Sequence, residues 1–258
     1  MRMKIIAIIP ARMGSTRFPG KPLCPILGLP MIEHVYRRTA MCTALDNVFV
    51  ATCDKEIYES VEAFGGKAIM TSPAHERASD RVAEAVADKD SDVIVMVQGD
   101  EPMTYPEMIE ESLAPFLGGD EEIACVNLTA RIKSQKEFTD PNTIKVVMDR
   151  DGYALYMSRE PIPTLHLQDF DQIPAFKQVC IIPFTAAALQ EFIELDPTPL
   201  EVTESIDMMR FIEHGRRVKM VETSFSTHAV DTPDDLKIVE GLMRKDPLTG
   251  KYITPTER

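Results

Sequence analysis

Lys4-Ile-Ile-Ala-Ile-Ile9 runs directly into Pro10-Ala-Arg-Met-Gly-Ser-Thr-Arg-Phe-Pro-Gly-Lys-Pro-Leu23, and this junction decides the fold. An unbroken apolar run lacks the alternation of a half-exposed strand. It suits a strand covered on both faces, as in parallel sheets. The loop that follows cannot extend the strand, because Pro10, Gly14, Pro19, Gly20 and Pro22 interrupt it. Further along, the same unit recurs. Asn47-Val-Phe-Val-Ala51, Lys67 to Met70 and Asp92-Val-Ile-Val-Met-Val97 read as strands. Met31 to Met41, Lys55 to Phe64, Ser79 to Ala87 and Pro106 to Phe116 read as helices, with Ser79 as an N-cap. This rhythm predicts an α/β protein with a mostly parallel sheet wrapped by helices.

Beyond about Gly119 the rhythm changes. Residues 123–132, 144–148, 153–157 and 177–184 read as strands without helices between them, and Asp149-Arg-Asp-Gly152 as a hairpin turn. The proline-bearing stretch 161–174 reads as a loop. Helices are predicted at 185–195, 199–214 and 233–244, and a strand at 217–223. The reading is one domain over residues 1–244 with a mixed, antiparallel insert at about 120–220. Residues 245–258 are expected to form a loosely held polar tail.

The 258 residues carry 28 lysines and arginines against 41 acids, a net charge of −13, and are 44% hydrophobic. That apolar content excludes intrinsic disorder. No run of about 18 apolar residues exists to span a membrane, and Ile5–Ile9 is too short for a signal-peptide core. Cys24, Cys42, Cys53, Cys125 and Cys180 are scattered with no CxxC pair, so neither a disulfide framework nor a cysteine zinc site is expected. A cytoplasmic location follows. The acidic total argues against a nucleic-acid partner, which calls for a basic stripe. Arg12, Arg17 and Lys21 instead cluster within ten residues free of acids, which suits a small anion.

Three segments carry chemistry. Loops at the carboxyl ends of parallel strands hold ligands in such sheets. In the loop after the first strand, Ser15, Thr16 and backbone N–H groups can donate to phosphate oxygens while the cations neutralise charge. It is neither a Walker loop, since Pro22 follows Gly20-Lys21, nor a GxGxxG fingerprint. Asp100, in Gln98-Gly-Asp-Glu-Pro102, follows a buried strand at the same edge. In Val230-Asp-Thr-Pro-Asp-Asp-Leu236, Thr232, Pro233 and Asp235 are explained by helix capping. Asp231 is left over, and with Asp100 would make a two-carboxylate magnesium site completed by phosphate oxygens.

These segments, with Tyr153-Ala-Leu-Tyr156 and Ser158-Arg159, resemble the 3-deoxy-manno-octulosonate cytidylyltransferases, the CMP-Kdo synthetases, in family order from about residue 4 to 243. The resemblance implies a Rossmann-like fold with helices on both faces, a homodimer, CTP and Mg2+. It implies transfer of CMP to the anomeric hydroxyl of an ulosonic acid in lipopolysaccharide assembly, with release of pyrophosphate and no covalent enzyme intermediate. Carried over by residue, Arg12, Ser15, Thr16, Arg17 and Lys21 match the nucleotide loop, with Arg17 and Lys21 clamping the phosphates. Asp100 and Asp231 match the metal acids, and Ser79 and Arg81 the segment beside the base. Gln98, Arg159, Lys177 and Glu201 match the sugar side; all but Gln98 fall in the insert, which is also expected to carry the dimer contacts. A capping box from Thr198 accounts for Glu201 equally well.

The departures lie on the acceptor side. The family's Arg/Lys-His-Leu-Gly-Ile-Tyr is here Lys177-Gln-Val-Cys-Ile-Ile182, and its Glu-Gln-Leu-Arg is Asp207-Met-Met-Arg210. Gln178 and Met208 thus stand for a histidine and a glutamine, which predicts an altered acceptor pocket. The alternatives are an 8-amino-octulosonate, a nonulosonate or a non-sugar acid as acceptor, or a non-catalytic nucleotide binder. The pairing of Asp100 with Asp231 argues against the last.

Overall fold

The computed structural model describes residues 2–14, 18–118 and 123–253. It divides into two compact units, Met1–Glu110 with Ser226–Arg258, and Glu111–Phe225. In chain order the first unit holds β1 (Ile5–Ala11), β2 (Pro25–Ile26), β3 (Leu29–Pro30), α1 (Met31–Ala40), β4 (Asn47–Thr52), α2 (Lys55–Ala63), β5 (Ala68–Met70), α3 (Ala78–Val86), β6 (Val93–Val97) and the start of α4 (Pro106–Leu117). All seven residues of β1 and all five of β6 are buried, as the unbroken apolar runs require. Within this unit the strands lie side by side as β6-β1-β4-β5, every pair parallel. The chain winds outward from β1 through β4 to β5, then crosses back to place β6 on the other flank of β1. The order reverses between β1 and β6, and loops at such a reversal diverge and leave a crevice at the carboxyl edge.

The second unit contains β7 (Val126–Arg131), α5 (Gln135–Thr139), β8 (Lys145–Met148), β9 (Ala154–Ser158), β10 (Phe176–Val179), β11 (Ile181–Thr185), α6 (Ala186–Glu194), α7 (Pro199–Glu204), α8 (Met208–Glu213) and β12 (Lys219–Glu222). Its sheet runs β12-β7-β10-β8-β9. All pairs are antiparallel except β12 on β7, so the mixed insert expected from the sequence is present. The β8–β9 hairpin turns at 149–152 as predicted. Asp149 accepts from the Asp151 and Tyr153 N–H groups, and Gly152 takes φ 76°. Phe184, Phe192 and Phe211 stack edge to face with centroids 5.1–6.2 Å apart. The chain then returns to the first unit through α9 (Pro233–Met243).

Four local expectations differ from the structure. Residues 199–214 form two helices, because Ser205 adopts a left-handed conformation (φ 53°). Arg159 takes the Glu204 and Ser205 carbonyls released there, a tertiary contact that no local breaker residue announces. Residues 177–184 divide into β10 and β11 around Cys180. The α3 helix begins one residue early, with Arg77 at the N-cap and Ser79 wholly buried in the first turn. Finally, residues 246–253 are docked. Leu248, Thr249 and Ile253 are buried, and Ile253 joins Ile26, Leu27, Met31, Met103, Val230, Val239 and Met243 in one apolar cluster. A side chain of that size gains about 1.5–3 kcal/mol when buried, which offsets part of the cost of ordering the segment. Arg38, also buried, donates to Asp246, Thr249 and Tyr252.

Candidate active site

The loop after β1 is closed on itself and tied to the sheet. Gly20 N–H donates to the Met13 carbonyl (3.0 Å), and Gly20 takes φ 73°, a region open to glycine without strain. Met13 N–H donates to Asp54, just past β4 (2.7 Å). Arg12 is exposed where β1 ends. Ser15, Thr16 and Arg17 lie outside the described residues. The loop ends in a tight turn at Lys21–Leu23, which aims the Lys21 side chain at the crevice.

Beyond β6 the chain passes very close to β1. A Cβ at position 99 would sit 2.7 Å from the Pro10 carbonyl oxygen, so only glycine fits between Gln98 and Asp100. That approach sets Asp100 at the reversal of strand order. The third segment arrives from α9. Val230 is buried in the apolar cluster, and its N–H donates to the Asp100 carbonyl (2.9 Å). Asp231 follows directly. The α9 capping box holds its loop, with Thr232 as cap and Asp235 at the third position. Asp235 also accepts from the Asp231 N–H (3.2 Å) and pairs with His228 (2.9 Å).

The three segments meet at one ammonium group. Lys21 Nζ lies 2.7 Å from Asp100, 2.9 Å from the Val230 carbonyl and 3.4 Å from Asp231. Burial disfavours its charge, but Asp100 and then Asp231 outweigh that cost and raise the Lys21 pKa above its ordinary value. Two carboxylates and a carbonyl bracketing one position form an all-oxygen set of the kind magnesium takes with substrate phosphates. Asp100 and Asp231 therefore fit a divalent cation. Among the described residues no cluster of three or more histidine, cysteine or acidic side chains is poised for a metal.

The remaining predicted residues are held elsewhere. Gln98 is half-buried at the end of β6. Arg81 is buried and its guanidinium supports the loop after β5, donating to Thr71 (2.5 Å). In the second unit, Lys177 pairs with Glu137 (2.6 Å), and Arg159 braces backbone carbonyls. Glu201 is wholly enclosed. It completes the α7 capping box and holds Arg210 with both oxygens (2.8 and 2.7 Å). A buried ion pair of that geometry stands where a sugar contact was expected, and the capping box from Thr198 is formed. Met208 is likewise a core residue, 3.9 Å from the Cys125 sulfur, and presents no surface to an acceptor. Gln178 is half-buried and donates to Asn127 (2.5 Å), whose own amide bonds the Leu128 and Val179 carbonyls. Sequence reasoning passed over Asp54 and the Val230 carbonyl. Asp54 carried the same signal as Asp100, an acid just past a buried strand, whereas a backbone carbonyl carries none.

This crevice, with its basic loop and converging acids, belongs to a nucleotide-handling α/β enzyme. The cytidylyltransferase family model matches residues 6–220. A 3-deoxy-manno-octulosonate cytidylyltransferase of Geobacter metallireducens is 47% identical over 252 residues, 94% of this chain and 99% of that protein. An 8-amino-3,8-dideoxy-manno-octulosonate cytidylyltransferase of Shewanella woodyi is 39% identical, covering 95% and 100%. A solved structure of CMP:2-keto-3-deoxy-manno-octonic acid synthetase complexed with CTP superposes with a TM-score of 0.86 at 37% identity, covering 94% of this chain and 99% of that one. The chain belongs to the 3-deoxy-manno-octulosonate cytidylyltransferase family and is a nucleotidyltransferase. None of its described helices is long and apolar enough to cross a membrane.

Proposed function

We propose that this enzyme transfers CMP from CTP to the anomeric hydroxyl of 3-deoxy-manno-octulosonate, releasing pyrophosphate, with Asp100 and Asp231 holding Mg2+. The observation that carries the reading is the meeting of Lys21, Asp100 and Asp231 at the point where strand order reverses. When bound, the metal supplies a Lewis acid that neutralises charge at the reacting phosphate. The chain's own groups do the rest. Met13 and Gly20 close the loop after β1, and the family resemblance assigns Arg12, Ser15, Thr16 and Arg17 to the nucleotide. Lys21 is within reach of the same crevice and offers a positive charge to the departing pyrophosphate. Asp54 and Asp235 keep the two ligand-bearing loops in place. The family resemblance further supports a cytoplasmic homodimer serving lipopolysaccharide assembly, with Ser79 and Arg81 behind the base and Gln98, Arg159 and Lys177 toward the sugar.

A second reading concerns the acceptor. Gln178 occupies the family's histidine position and is tied to Asn127, and the Shewanella woodyi relative is named for the 8-amino sugar. The first points to an altered acceptor side, and the second favours an 8-amino-octulosonate as the alternative substrate. Pyrophosphate release from CTP and Mg2+, measured across the common octulosonate, its 8-amino analogue and sialic-type acids, tests both readings. Magnesium-dependent turnover with an octulosonate is expected. Turnover that needs no divalent cation, or none with any acid sugar, would refute the proposal.

A further inference from the structure

We propose that Lys21 occupies the cation position of the nucleotide-free enzyme, so that the divalent metal enters only with a triphosphate that draws the ammonium away. The proposal rests on the reading that Asp100 and Asp231 are the metal acids. Lysine has three N–H donors and no acceptor, and Lys21 Nζ has three oxygens at 2.7, 2.9 and 3.4 Å. They come from two separate segments, one after β6 and one before α9. A lysine placed only to await phosphate would gain nothing from a carbonyl on a different segment. Here the ammonium is coordinated as a small cation would be, by the same oxygens a metal would need.

Metal and ammonium therefore compete. Both cannot sit between one pair of carboxylates, because like charges at contact distance in a half-buried site repel strongly. Triphosphate oxygens give the ammonium another place to go. The side chain sits on the short turn Lys21–Leu23, beside the loop proposed to hold the nucleotide, so the exchange asks only for side-chain rotation. The consequence is an order of binding in which metal arrives with CTP and not before it.

Binding of Mn2+, followed by loss of the free-ion electron paramagnetic resonance signal, tests this without turnover. It is measured with and without a CTP analogue whose α–β bridge is a methylene and cannot react, after subtracting the Mn2+ that the same analogue chelates without enzyme. A site released by Lys21 a tenth of the time or less loses about tenfold or more in apparent affinity. Lys21→Met and Lys21→Gln are therefore expected to bind Mn2+ without nucleotide at least about tenfold more tightly than the parent enzyme, the gain vanishing when Asp231→Asn is added. A folded Lys21 variant, checked by its melting temperature, whose nucleotide-free Mn2+ affinity equals the parent's would overturn the proposal. If neither variant folds, equal Mn2+ affinity of the parent with and without the analogue does the same. Should analogue-dependent Mn2+ binding survive Asp100→Asn and Asp231→Asn, the metal assignment itself is wrong and the gate falls with it. If that binding is lost but the Lys21 variants gain nothing, the assignment stands and only the gate fails.

Discussion

Two cation–carboxylate clusters in this protein use the same chemistry for opposite ends. In the first unit, Lys21 meets Asp100 and Asp231 with side chains 13%, 29% and 21% exposed. In the second, Arg210 meets Glu201 with 4% and 1%. Lys21 is a flexible point charge that can trade partners. Arg210 is a planar fork fixed on both oxygens of one acid. Water reaches the first cluster, so breaking it strands no bare charge. Breaking the second leaves an ion in the interior without its counter-charge. Charge kept for a ligand stays near solvent on loops, and charge that holds helices together is sealed between them.

The sharpest way to break this contrast is to remove an acid from each cluster. Asp100→Ala or Asp231→Ala should lower CMP transfer by roughly a thousandfold or more, because several kcal/mol of charge stabilisation is lost. Thermal unfolding of either variant should stay close to that of the parent. Retained turnover at limiting Mg2+ would place the metal elsewhere. Glu201→Ala should do the reverse and cost about 3–5 kcal/mol of stability in denaturant unfolding, since buried Arg210 loses the carboxylate that holds it with both oxygens. A Glu201→Ala protein of ordinary stability but with KM raised for the sugar alone would restore Glu201 to the acceptor site.

A smaller effect is expected at Gln178. Gln178→His introduces the residue that the family resemblance places there and removes the bond to Asn127. One hydrogen bond made or broken in an acceptor pocket is worth about 1–3 kcal/mol. The ratio of kcat/KM between the common octulosonate and its 8-amino analogue should move about tenfold or more, which is the discrimination such an energy supplies. An unchanged ratio would make Gln178 a bystander. Met208→Gln, by contrast, should act on stability, because Met208 is packed against Cys125 in the core.

An effect confined to acid pH sharpens the picture of the docked C-terminal segment. Tyr252 accepts from Arg38 Nε (2.9 Å). Its hydroxyl can then donate to His34 Nδ1 (2.8 Å), while His34 Nε2–H donates to the Ile26 carbonyl (2.7 Å). Only a neutral imidazole satisfies this chain. Burial, chiefly, lowers the His34 pKa from 6.5 to about 4. The unfolded chain therefore binds a proton there between about pH 6.5 and 4 that the folded protein does not. Stability from this group is fully present above pH 6.5 and falls by about 1.4 kcal/mol per pH unit down to about pH 4. His34→Gln should flatten that slope in urea unfolding curves. An unaltered slope would show that His34 protonates without disturbing the fold.

The sequence alone was sufficient wherever the physics is local. Unbroken apolar runs require strands covered on both faces, so β1, β4 and β6 were legible as a parallel sheet. Thr232, Pro233 and Asp235 announced the start of α9, and Thr198 with Glu201 that of α7, because capping is settled within four residues. Asp100 and Asp231 could be nominated, since charged residues just past buried strands or just ahead of a cap have few structural duties, and Lys21 by its place in a basic cluster free of acids. What only tertiary structure decided is which charge meets which. Glu201 and Lys21 look alike in sequence as charged residues near a proline. One is enclosed with Arg210 and the other brackets a cation position with partners 79 and 210 residues away. The Ser205 break, the burial of Met208 and the docking of residues 246–253 were hidden for the same reason. Each depends on a side chain distant in sequence, Arg159, Cys125 or Arg38, whose proximity is created by folding and leaves no trace in neighbouring residues.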